Sequence, residues 1–276
     1  DITIGTDTGG ATRNPAAFTG ITGLKPTQDS ISRDGSLILS SSLDSIGLMA
    51  KNVELCKLGY EVMRNKKNLN HMVSNNKNMN LIIPLNFGFE NIEPEVKFAF
   101  DSAKLKLIKN GYNVIDMNIP ILDIYKKVPL WQFAAVECQT EYFDSYREKS
   151  KLIDPNILKR IDRANEVMAV EYNLLLKIRK KMILEFNNFL NDSFLLLPTV
   201  VIHPPLLRDC KDKEFYDRVN LISLQNTSLA NYMNGCSLSI PYKINEKPIG
   251  IMLNGTTNND DQLLEVGSKI EEILEL

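Results

Sequence analysis

At 276 residues, 43% hydrophobic and 24% charged, the chain has the composition of an ordinary globular protein, long enough to bury a sizeable core. A formal net charge of -2 argues against a nucleic-acid surface, and no apolar run is long enough to span a membrane. Two histidines, His71 and His203, stand in no metal-binding spacing and four scattered cysteines form no CxxC pair, so neither a metal site nor a disulfide framework is expected.

The chain opens at Asp1 and enters a glycine-rich segment with no strand read ahead of it, which predicts that an N-terminal part is missing. Seven of the 14 glycines fall between Gly5 and Gly47 among dense Ser and Thr, a pattern of loop and tight turn with free backbone N–H groups. Val53 to Met63 has helical spacing, and the Asn/Lys-rich run Asn65 to Asn80, with His71, reads as a mobile connector. Leu81 to Pro84 is a short strand, Glu93 to Lys109 a helix closed by Gly111, and Tyr112 to Ile119 an alternating strand. Helices are predicted over Leu122 to Lys149, interrupted near Pro129, and over Pro155 to Leu190. Phe194 to Leu197 reads as a buried strand, Phe215 to Met233 as helix, Ile249 to Leu253 as strand and Asp260 to Leu274 as a closing helix. Strands alternating with helices indicate an α/β architecture.

The chemistry concentrates in GTDTGGATRNPAAFTGITGLKPT, Gly5 to Thr27, and its continuation to Gly47. Consecutive N–H groups over Asp7-Thr8-Gly9-Gly10-Ala11, with two glycines to permit unusual backbone angles, form an anion nest for a phosphate or an oxyanion. The Walker spacing and a GxGxxG after a strand are both absent, which disfavours nucleotides.

The same residues resemble the amidase signature. The match runs through Gly5, Asp7, Thr8, Gly9, Gly10, Arg13, Pro15, Gly20 and Gly23 to Thr27, then through Ser32, Arg33, Gly35, Ser41 to Asp44, Gly47, Met49 and Ala50. Thinner likeness follows at LLLPTVVIHPP, NTSLANYMNGCSLSIPY and PIGIMLNG. The resemblance implies an α/β amidase-signature fold, a mixed central sheet flanked by helices, with residues 1–276 as the C-terminal portion of one such domain. It also implies a serine hydrolase that cleaves carboxamides through an acyl-enzyme, without cofactor or metal. Ala11 stands where the family has its nucleophilic serine. Thr8, Gly9, Gly10 and Ala11 are assigned as N–H donors to the oxyanion, and Asp7 and Arg13 as residues that orient the loop. The family's Lys and second serine belong to a stretch upstream of the signature, and Lys25, within GLKPT, does not replace that Lys. With Ala11 in place the chain is expected to be inactive. An engineered change, a natural pseudoenzyme and a degenerate gene copy would each account for it.

Substrate choice is thinly encoded. Arg160 is similar in place to an arginine that binds a substrate carboxylate in relatives, and is the candidate substrate-binding residue. Glu137 and Gln139 share a predicted helix with Trp131 and Phe133, as pocket wall or as packing. Asn226, Thr227 and Asn231 form a polar wall or a cap network. The stretch AVEYNLLLKIRKK and the CSLSIPY passage look more like stand-alone small-molecule amidases than the A subunit of a tRNA-dependent amidotransferase. A non-catalytic binding or scaffold protein is the other alternative. The expected partners are a small-molecule amide and a second copy of the chain, with no nucleic acid and no membrane, in the cytoplasm.

Overall fold

The computed structural model of the chain describes residues 1–64, 79–244 and 247–275. His71 and most of the expected connector lie outside the described residues. The strands are β1 (Ile2–Asp7), β2 (Thr22–Lys25), β3 (Ser45–Ala50), β4 (Asn80–Pro84), β5 (Asn113–Met117), β6 (Phe194–Pro198), β7 (Ser237–Ile244) and β8 (Lys247–Asn254). They form one sheet in the order β1-β3-β2-β7-β8-β6-β4-β5. β4 pairs in parallel with β5 and β6, and the other neighbouring strands pair antiparallel, so the sheet is mixed.

The helices are α1 (Arg13–Thr19), α2 (Val53–Met63), α3 (Pro94–Lys109), α4 (Pro120–Tyr125), α5 (Trp131–Glu141), α6 (Phe143–Lys149), α7 (Pro155–Asp162), α8 (Ala169–Leu190), α9 (Lys213–Leu224), α10 (Ser228–Tyr232) and α11 (Asp260–Glu275). Strand alternation sorts them into two layers. Phe194 and Leu196 of β6 point with Leu238, Ile240 and Ile251 into a core closed by α2, α3 and α11. Leu195 and Leu197 point the other way, into a second core with α4, α5, α8 and α10.

The glycine-rich start is more regular than its composition suggests. It contains β1, α1, β2 and β3, so a strand does lead into the Asp7–Ala11 turn. β1 escapes pattern reading because it is an edge strand among the described residues, its Ile2 and Ile4 stay exposed, and its strand partner there, β3, is some forty positions away in sequence. Glycine lets the residues around α1 press directly onto the sheet. A Cβ at Gly47 would come within 2.7 Å of Thr12 Oγ1, and one at Gly23 within 2.7 Å of the Ala16 methyl.

Two long predicted helices are broken. The one over Pro155 to Leu190 stops at Val167 and Met168, both extended, before α8 restarts with Glu171 accepting from the Met168 N–H at 3.3 Å. The one over Phe215 to Met233 opens between α9 and α10. There the Asn226 side-chain amide donates to the carbonyls of Gly88 and Pro198. Around Pro129 the predicted interruption is present, between α4 and α5.

Candidate active site

β1 delivers Asp7, fully buried, to the foot of the nest. One carboxylate oxygen accepts from the Gly10 N–H (2.8 Å), Arg13 Nη2 (2.9 Å) and Asn231 Nδ2 (3.0 Å). The other accepts from the Thr12 N–H (3.2 Å), Thr12 Oγ1 (2.7 Å) and Arg13 Nε (3.2 Å). Burial by itself would raise the Asp7 pKa. The Arg13 charge and hydrogen bonds, helped by Lys25 and Thr12, outweigh burial and hold the carboxyl well below the usual carboxylate range.

Arg13, also fully buried, opens α1 and reaches across to the C-terminal part of the chain. Its other donors go to the Thr227 carbonyl (2.8 Å), Ser237 Oγ (3.2 Å) and Asn231 Oδ1 (2.7 Å). The expectation that Asp7 and Arg13 orient the loop thus has a geometric basis: together they staple β1, α1, α10 and β7. Lys25 lies on the neighbouring strand β2, buried, with Nζ donating to the Pro26 carbonyl at 2.8 Å. Burial, with the Arg13 charge adding to it, pushes the Lys25 ammonium down to about 8, against the opposing pull of Asp7 and Asp260.

The Gly9–Gly10 peptide is held from both sides. Its carbonyl accepts from Thr227 Oγ1 at 2.6 Å and Ser228 Oγ at 3.2 Å, while its N–H donates to Asp7. A trans peptide places these groups on opposite edges of one plane, so the two contacts fix its orientation. Gly10 has φ +129°, and a Cβ there would sit 2.1 Å from Thr227 Oγ1. This corrects one assignment: the Gly10 N–H is engaged by Asp7 and is not free for a substrate oxygen. The N–H groups of Thr8, Gly9 and Ala11 have no acceptor among the described residues. Ala11 is exposed at the turn before α1, and neither nearby hydroxyl substitutes for a serine there. Thr8 Oγ1 donates to Asp44 at 2.6 Å, and Thr12 Oγ1 is committed to Asp7.

The remaining sequence candidates divide. Thr227 and Asn231 belong to the nest, and Asn231 Nδ2 also donates to the carbonyls of Asp7 and Leu43. Asn226 serves the neighbouring strand ends instead. Glu137 of α5 accepts from Ser40 Oγ, Ser42 Oγ, the Ser42 N–H (3.0 Å) and Tyr172 OH (2.6 Å), which the sequence reading did not foresee. Arg160 is exposed on α7 and makes no hydrogen bond or ion pair among the described residues, so it is not tied to the nest. His203 pairs with Glu93 ahead of α3 (2.9 Å). Among the described residues no group of His, Cys, Asp and Glu is placed to hold a metal, all four cysteines are unpaired, and no helix is long and apolar enough to cross a membrane.

A family model described as Amidase matches residues 1–264. The chain belongs to the Amidase family. Among curated proteins it is 28% identical over 287 residues to a 2-amino-5-chloromuconic acid deaminase of Comamonas testosteroni, covering 99% of this chain and 60% of that one. It is 26% identical over 314 residues to the A-type polypeptide of a glutamyl-tRNA(Gln) amidotransferase from Clostridium acetobutylicum, covering 98% and 64%. Among solved structures, an amidase superposes with a TM-score of 0.82 at 23% identity, covering 99% of this chain and 63% of that one. The chain therefore spans less than two thirds of the length of these relatives, and it has their amidase-signature fold.

Proposed function

We propose that the chain is the C-terminal, signature-bearing portion of a single amidase-signature domain that acts on carboxamide C–N bonds, and that with Ala11 in place it holds an amide without cleaving it. The observation that carries this reading is the locked Gly9–Gly10 peptide beside unengaged N–H groups at Thr8, Gly9 and Ala11. With a serine at position 11, its Oγ would attack the carbonyl carbon and give its proton to a base. The carbonyl oxygen would become an anion facing those N–H groups, each donor worth about 3 kcal/mol in comparable sites. The C–N bond would then break as the nitrogen takes a proton, and water would release the acid. A methyl group has no lone pair with which to begin.

The test is Ala11→Ser in the complete gene product, with ammonia release followed over acetamide, benzamide and glutamine. Release that the Ala11 protein lacks supports the reading. A folded, inert serine variant would sink it and favour a non-catalytic binding or scaffold protein, the second reading, which Ala11 itself motivates. Ammonia production that requires tRNA and a partner protein would place the chain with the amidotransferases. The similar identities of the deaminase and the amidotransferase polypeptide do not separate the branches, and the preference for a stand-alone amidase rests on residues 169–181, 226–231 and 236–242. A cytoplasmic, cofactor-free enzyme taking a small amide and able to form a homodimer completes the proposal, with Arg160 as a substrate-carboxylate contact reached from the surface of α7.

A further inference from the structure

The turn over residues 36–44 is fastened from several directions. Asp44 Oδ2 accepts from the N–H groups of Leu39 (2.7 Å) and Ser40 (3.0 Å), which closes the turn on itself. Glu137 of α5 then takes the Ser40 hydroxyl, the Ser42 hydroxyl and the Ser42 N–H on its two oxygens. Tyr172 of α8 donates to the same carboxylate at 2.6 Å. Arg179, two turns further along α8, donates to the carbonyls of Ser42 (2.9 Å), Asn231 (3.2 Å) and Tyr232 (2.8 Å). What remains of Asp44 is Oδ1, and it accepts from Thr8 Oγ1 at 2.6 Å, the first residue of the nest.

We propose that Glu137 is a positioning residue for the nest, acting through Ser40, Ser42 and Asp44 on Thr8. This rests on reading Thr8–Ala11 as an oxyanion nest, and it adds that the helical layer of α5 and α8 sets the nest's entry. The physical reasoning is one of degrees of freedom. Asp7 and Thr227 lock the Gly9–Gly10 plane and Asn231 and Ser45 hold the Asp7 carbonyl at the start of the turn, while the Thr8 side chain between them is held by Asp44. Asp44 itself leads into β3 and its carbonyl accepts from Gln28 Nε2, while the turn over residues 36–44 orients its carboxylate. A carboxylate accepting four donors is a strong clamp, because charged acceptors make the shorter and stronger hydrogen bonds. Burial foremost, with the bond to Glu137, raises the Tyr172 pKa, so the phenol stays a donor.

The experiment is residue-resolved amide hydrogen exchange by NMR on the complete gene product. Glu137→Ala should speed exchange at Gly10 and Thr12, the nest amides that donate to Asp7, by about tenfold, while α11 and β7 keep their rates. Glu137→Gln should rescue to within about threefold, since its carbonyl still serves the Ser42 N–H and the hydroxyls can turn to accept from its amide. Asp44→Ala should match Glu137→Ala at Gly10 and Thr12, and the double variant should add nothing further. If Glu137→Ala unfolds the chain, Ser42→Ala and Tyr172→Phe each remove a donor and carry the same test with a smaller expected change. The proposal is overturned if acceleration stays within residues 36–44 and α5, or if every segment accelerates alike. Because the readout is the loop's own exchange, it stands or falls separately from any release of ammonia.

Discussion

Replacing Asp7 by asparagine keeps the shape of the side chain and removes its charge. The consequence follows from who faces each oxygen. The amide nitrogen must occupy one of two places. In one it meets the donors of Gly10, Arg13 and Asn231, and in the other those of Thr12 and Arg13. The second is less costly, since the Thr12 hydroxyl can turn, yet it still strands the Thr12 N–H and Arg13 Nε. Arg13 is then a buried cation facing no anion, a situation that costs about 3–5 kcal/mol. With a urea m-value of about 3 kcal/mol/M for a chain of this size, Asp7→Asn should lower the denaturation midpoint by about 1 to 1.7 M. The acid limb gives a second check. A carboxyl with a depressed folded pKa contributes stability that is present above its unfolded value, about 3.9, and is lost as pH falls toward the folded one. The native chain should therefore lose stability below about pH 4 more steeply than Asp7→Asn. A midpoint shift under about 0.3 M, or parallel acid limbs, would refute the view that Asp7 and Arg13 hold the nest together.

Gly10→Ala should be severe, because its Cβ would lie 2.1 Å from Thr227 Oγ1 at a backbone angle that side chains avoid. A loss of about 3 kcal/mol or more by urea denaturation is expected, and a near-neutral result would show that α10 yields easily. For Lys25→Met the sign depends on pH. Since burial and the Arg13 charge lower the Lys25 ammonium to about 8, the unfolded chain alone holds that proton between about pH 8 and 10.5, and native stability climbs there. The stability difference between Lys25→Met and the native chain should shift in favour of the native protein between pH 7.5 and pH 9.5, and a pH-independent difference would overturn this.

The sequence revealed the motif more readily than the surroundings that hold it. Asp7, Arg13 and the glycines of the nest were legible because their order along the chain is itself the signal. α2 and α11 were legible because their apolar spacing is local and each is buried on one face. β1 was not, because its brief Ile-Thr-Ile alternation leads at once into glycine and its pairing is decided by the distant β3. The break between α9 and α10 was missed for the same reason. Residues 215–233 carry helical spacing throughout, and the side-chain contacts that accompany the break at Gln225 to Thr227, with Gly9, Gly88 and Pro198, are all tertiary. The engagement of the Gly10 N–H by Asp7 is a matter of ångströms that no spacing encodes. Glu137 sat in a helix whose polar and apolar residues admitted either wall or packing, and its role appears only when Ser40 and Ser42 are brought to it.

The double hold on the Gly9–Gly10 peptide also fixes when the site can come into being. One hold, Asp7, is made almost as soon as the signature is synthesised, while Thr227 and Ser228 follow 218 and 219 residues after Gly9. At roughly 5–20 residues per second a ribosome needs on the order of 10–40 s to cover that interval. Until then Gly10 keeps the freedom that glycine has in an open chain, and Arg13 lacks the carbonyl and amide that receive half its fork. The most recognisable stretch of the polypeptide is thus among the last to acquire a shape, and a nascent chain halted short of residue 227 would carry the signature without the site.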